Sequence, residues 1–162
     1  MQRPNTRLKR GVVAGLLAAI AVAVWFFVLD FLSGHPFEIP AALGSSLLFA
    51  KPAIEFSART ILGYLVFHFV AFILTGILFV WVTERLERRP SFMLFALLFV
   101  ILGEAIGLAN LASFAQWGLG SLGIWSVTVA NLLGIAVMGW YIWATHPILR
   151  HFGEQPPPAI RV

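Results

Sequence analysis

The residues able to do chemistry are few, and they lie inside long apolar stretches. Asp30, His68 and Glu104 are ionisable; Thr75, Asn110, Thr128 and Asn131 are their uncharged companions. An ionisable side chain within a bilayer is costly unless it is paired or hydrated, so each demands a physical account. A carboxylic acid beside an imidazole can exchange a proton or hold a cation, which is coupling chemistry for a transporter. The same pair, with Asn131 as a third partner, can instead form a hydrogen-bonded knot that fixes helix register. The residue types allow both.

Those residues must be positioned by helices. Of 162 residues, 60% are hydrophobic and 11% are charged, against roughly 25% charged in a soluble domain. Mean hydropathy is +0.91. A soluble domain of this length cannot hide so much apolar surface, which excludes a soluble enzyme and a disordered chain. Four runs reach the roughly 20 apolar residues that a membrane crossing needs: Gly11 to Leu32, Ile61 to Thr83, Ser91 to Ser113 and Leu122 to Ala144. In lipid each must satisfy its own backbone hydrogen bonds, so each is read as a helix. Counting about 1.5 Å per residue from the outer ends puts His68 about 10 Å deep, and Glu104 and Asn131 about 13 Å. His68, Glu104 and Asn131 are therefore expected to form one intramembrane cluster. Asp30 falls about 3 Å from its outer boundary. There it is expected to reach water, to cap the loop that follows, or to sit at a cavity mouth.

Orientation follows from the basic residues. Arg3, Arg7, Lys9, Arg10, Arg85, Arg88, Arg89, Arg150 and Arg161 fall on one side of this arrangement, and only Lys51 and Arg59 on the other. Excess Lys and Arg mark the cytoplasmic side, so both termini are expected there. The pI of about 10.4 thus reflects membrane orientation and not a nucleic-acid face. Trp81, Trp140, Tyr141 and Trp143 fall near the inner interface, and Trp117 and Trp125 near the outer one, as aromatic belts do. The first run outlasts the apolar core of a signal peptide and is read as a retained span.

Between the first two spans, SGHPFEIP leads into AALGSSLLFA. The second segment is too short to span and is expected to be an interfacial helix with Pro40 at its first position, or a re-entrant segment. Pro52 is expected to open the next helix, with Glu55 and Arg59 paired on it, and Glu84 and Arg88 paired at its far end. Residues 1–150 are read as one membrane domain, and 151–162, with its proline run, as an extended tail.

Small residues mark contact faces, because helices in lipid associate by close approach. Gly11, Gly15, Ala19 and Ala23 recur every fourth residue; Gly103 and Gly107, and Ala130 and Gly134, repeat the spacing. These faces serve either packing within the bundle or a homodimer seam.

Catalytic and cofactor chemistry finds little support. The chain has no Cys, which removes thiolate sites and a Cys nucleophile. His68 and His146 lie at different levels, unsuited to a bis-histidine haem. His68, Glu104 and Asp30 are plausible ligand types without a tight metal-binding spacing. Ser45 and Ser46 lack the second glycine and the paired base of a hydrolase elbow. Neither a metal nor a cofactor is expected, and no catalytic residue is assigned.

The segment WFFVLDFLSGHPFEIPAALGSSLLF, within Gly11 to Phe49, resembles the opening of small bacterial four-span membrane proteins of unknown function. In those, an aromatic–Asp span end runs into a Gly-x-Pro loop and an Ala-Leu-Gly segment. The resemblance implies a four-span plan and no activity. Small multidrug transporters share that plan but keep their Glu in the first span, where this chain has Asp30.

The expected fold is thus all-α: a four-helix transmembrane bundle with a short interfacial helix between spans 1 and 2. The expected role is that of a non-enzymatic accessory or structural component of the bacterial inner membrane. Its partners are then the lipid bilayer and either another membrane protein or a second copy of the chain, with no nucleic acid. The alternative is a small proton-coupled transporter, acting as a homodimer through Glu104 and His68.

Overall fold

The computed structural model describes residues 4–49, 54–88 and 123–145. All the regular structure there is helical: α1 (Pro4–Ser33), α2 (Glu38–Phe49), α3 (Ala58–Arg88) and α4 (Gly123–Thr145). Three of them, α1, α3 and α4, are long and apolar enough to cross a membrane. The expected span Ser91 to Ser113, with Gly103, Glu104 and Gly107, lies outside the described residues, as does the tail.

α1 and α3 run beyond their apolar cores into the basic flanks, where Arg, Lys and Glu are themselves good helix formers. α1 ends by backbone chemistry. Gly34, at φ 79°, supplies the left-handed residue that closes a helix. Gly34 N–H then donates to Phe31 O at 3.2 Å and His35 N–H to Asp30 O at 3.1 Å, which satisfies two terminal carbonyls.

α1 is the hub. It packs antiparallel on α3 and also on α4, while α2 packs mainly on α3. The α1–α3 crossing is close because glycines face each other. A Cβ at Gly15 would lie 2.3 Å from Phe72 O, and one at Gly76 would lie 2.3 Å from Gly11 O. Ala14 and Ala18 of α1, Val80 of α3, and Met138 and Ile142 of α4 form the buried core, with Phe72, Phe79 and Tyr141 packed against it. Arg7 closes one end of the pair with an ion pair to Glu84 at 3.1 Å. The antiparallel crossing brings the Arg7 guanidinium to the carboxylate; the expected Glu84–Arg88 pairing falls on the Arg88 side chain, which lies outside the described ones.

The far end differs from expectation in three ways. Pro40 is the third residue of α2, not the first. α3 begins at Ala58, after Ser57, instead of at Pro52. The Ser57 and Thr60 side chains each accept the other's backbone N–H at 3.2 Å, a reciprocal cap that defines the helix start. Finally, Glu55 precedes α3, and Arg59 stacks over the Phe49 ring at 5.7 Å in place of the expected Glu55 pairing.

Candidate functional site

Asp30 sits in the last turn of α1 and is 1% exposed. Of the roles expected for it, it takes the capping one and not the water-facing one: its carboxylate turns back under α2. It accepts the Ile39 N–H at 3.2 and 3.4 Å. The opening donors of α2 are thereby accounted for: Glu38 N–H donates to His35 O, Pro40 has no N–H, and Ala41 N–H makes the first helical bond to Phe37 O. Asp30 is thus a helix cap supplied from another helix. Phe37, at φ 68°, adopts a conformation costing a non-glycine residue about 1–3 kcal/mol. Its ring leans on Phe27, with centroids 5.7 Å apart, and this packing helps to hold the turn.

His68 lies in the first half of α3 and is buried. Its Nε2 lies 3.0 Å from the Ala19 carbonyl oxygen on α1. A carbonyl only accepts, so Nε2 carries the hydrogen, and the neutral ring presents Nδ1 as an acceptor. Ala19 is fully buried; the small side chain lets the imidazole reach the α1 backbone. Tyr64, one turn earlier, packs on His68 with ring centroids 5.7 Å apart, and Phe72 packs on its other side at 4.7 Å.

A cavity of about 280 Å³ opens between α1, α2 and α3, and both Asp30 and His68 line it. Its walls are otherwise apolar, built from Ile20, Val24 and Phe27 of α1, Ile39 of α2, and Leu65 and Phe69 of α3. Tyr64 and Ala23 also border it. Arg7 Nε is the one fully enclosed side-chain nitrogen or oxygen without a partner among the described residues. Among the described residues the Tyr64 hydroxyl and His68 Nδ1 make no hydrogen bond, and both residues line the cavity.

Asn131 and Thr128 are half-buried on α4. Thr75 is exposed and donates to the Ala71 carbonyl of its own helix at 2.9 Å. The expected cluster of His68, Glu104 and Asn131 falls on Glu104, outside the described residues; what the structure places around one cavity is His68, Tyr64 and Asp30. Tyr64 is the residue sequence reasoning undervalued, and its signal was its position four residues before His68 on the same helix face.

Of the small residues, Gly11, Gly15 and Ala19 face α3, while Ala23 reaches the cavity. Ala130 is buried on α4, and a Cβ at Gly134 would meet Phe72 and Val22. Trp25, at the α1–α4 contact, donates its indole N–H to Ser126 O at 3.0 Å and meets Trp125 edge-on. Ser45 donates to Ala41 O at 2.7 Å and accepts the Glu55 N–H at 2.8 Å; these bonds hold α2 on the entrance to α3. No group of three or more His, Cys, Asp or Glu side chains is placed to hold a metal ion among the described residues. No family model, no curated protein and no solved structure matches this chain.

Proposed function

We propose that this chain is a multi-pass protein of the bacterial inner membrane, with its termini in the cytoplasm. In this reading it acts without catalysis, as an accessory or structural component of a membrane assembly. The membrane reading is supported by what the helices leave uncovered. Leu32, Val66, Leu74 and Leu132 are each at least 60% exposed, and these positions occur on all three long helices. Apolar surface so extensive and so widely spread needs an apolar solvent.

The observation that carries the accessory reading is the use made of the two ionisable groups within the described apolar helices. Asp30 is engaged with the Ile39 N–H and His68 with the Ala19 carbonyl. Each polar side chain binds a neighbouring element's backbone, which is how such groups fix the mutual position of helices in lipid. A proton-coupled pathway would instead need them to face each other or a partner acid. The competing transporter reading rests on Glu104 and on the cavity beside His68.

Native mass spectrometry of the protein, released gently from its own membrane, separates the two. A heteromeric mass is the result expected for an accessory component. A homodimer free of other polypeptides, together with proton flux lost in Glu104→Gln, would replace this reading with the transporter.

A further inference from the structure

We propose that the cavity between α1, α2 and α3 binds a lipophilic alcohol or phenol, whose hydroxyl donates to His68 Nδ1 and accepts from the Tyr64 hydroxyl. The proposal goes beyond the accessory reading and does not depend on it.

Three observations lead to this class of molecule. The first is size. The cavity measures about 280 Å³, whereas an engineered cavity of roughly 150 Å³ already takes up benzene. There is room for a ring with a short tail or for a medium-length chain. The second is lining. Ile20, Val24 and Phe27 form an apolar wall and are themselves exposed along α1, so a molecule dissolved in the surrounding lipid can enter sideways without crossing water.

The third is the polar pair, and it sets the chemistry. The Ala19 carbonyl holds the hydrogen of His68 on Nε2, so Nδ1 can only accept. The Tyr64 ring lies against the His68 ring, with centroids 5.7 Å apart, and borders the same cavity; its hydroxyl has no hydrogen-bond partner among the described residues and can donate. An acceptor beside a donor matches one hydroxyl group, which donates once and accepts once. A pure hydrocarbon would leave both groups unsatisfied; an ether or ketone would leave Nδ1 without a donor. An anion would meet an imidazole lone pair and, beyond it, the Asp30 carboxylate, which also borders the cavity. A cation finds the Asp30 oxygens already turned to the Ile39 N–H. The neutral hydroxyl is the group that all the lining residues accept.

The test uses the full chain in lipid nanodiscs and two photoactivatable probes: decanol carrying a mid-chain diazirine, and the methyl ether of the same molecule. Labelled residues are mapped by peptide mass spectrometry. The alcohol should label the Ile20–Phe27 segment of α1 and the Ile61–Phe69 segment of α3, and unlabelled decanol should compete. The ether should label those segments about 10-fold less, the factor that one lost hydrogen bond gives. Tyr64→Phe should bring alcohol labelling down toward the ether level, and Ala23→Leu, which fills the cavity, should abolish the saturable part. Labelling that does not saturate would overturn the proposal. So would equal labelling by the two probes, which decides the matter on the unsubstituted chain even where a variant fails to fold.

Discussion

Replacing Gly15 by Ala tests the architecture where it has least room. A Cβ there would lie 2.3 Å from Phe72 O and 2.6 Å from Ile73 Cα, both backbone atoms of α3. Neither can rotate away. Restoring ordinary contact requires α1 and α3 to part by about 1 Å, because close-packed backbones have no slack. That separation also stretches the His68–Ala19 bond, now 3.0 Å, beyond useful length. Overpacking costs about 1–3 kcal/mol, and losing an interhelical hydrogen bond in lipid costs about 0.6–1.7 kcal/mol. Ala is also a better helix former than Gly by up to about 1 kcal/mol. Gly139→Ala removes that ambiguity, since a Cβ at Gly139 meets nothing within 4 Å. The difference between the two variants isolates the crossing and should be about 2–4 kcal/mol. Gly134→Ala should fall between them, because its nearest neighbour, at 3.1 Å, is the Phe72 ring, which can shift. Equilibrium unfolding by steric trapping in bicelles measures all three. Equal stability of the Gly15 and Gly139 variants would refute the close crossing.

Two further perturbations probe the ends of the α1–α3 pair. Asp30→Ala leaves the Ile39 N–H buried without an acceptor and should cost about 1–3 kcal/mol, while Asp30→Asn keeps an acceptor oxygen and most of the stability. Hydrogen exchange in the first turn of α2 reports this directly, and equal protection in both variants would remove Asp30 from the cap. At the other end, a double-mutant cycle on Arg7 and Glu84 should give a coupling of about 0.5–1 kcal/mol, weakened by added salt. A coupling indistinguishable from zero would make the 3.1 Å contact incidental.

The long helices were legible in the sequence because membrane spans announce themselves by length alone. The run Gly11 to Leu32 lies within α1, and the four-residue recurrence of Gly11, Gly15 and Ala19 marks the face that meets α3. The first connection was harder to read. A search for a helix start favours Pro52, yet the start is set by Ser57 and Thr60, a reciprocal pair with Thr where a capping box usually has Glu. The site was less legible still. His68 and Asp30 bond to backbone atoms, of Ala19 and Ile39, and a backbone acceptor or donor leaves no residue-type signature. Sequence reasoning sought side-chain partners for His68 and so paired it with Glu104 and Asn131. The turn at Gly34 and Phe37 folds α2 back over Asp30, and depth counted along a straight helix cannot foresee that.

In the proposed arrangement, α1, α3 and α4 cross a bilayer with the Arg7–Glu84 end in the cytoplasm. The chain contains no Cys, so single cysteines can be introduced without a background. With a membrane-impermeant maleimide on intact cells, His35→Cys and Glu55→Cys should label at once. Thr6→Cys and Arg85→Cys should label only after permeabilisation, and Val24→Cys, Leu74→Cys and Leu132→Cys should resist under both conditions. Labelling of Thr6→Cys and His35→Cys from the same side, or ready labelling at the three mid-helix positions, would contradict the account.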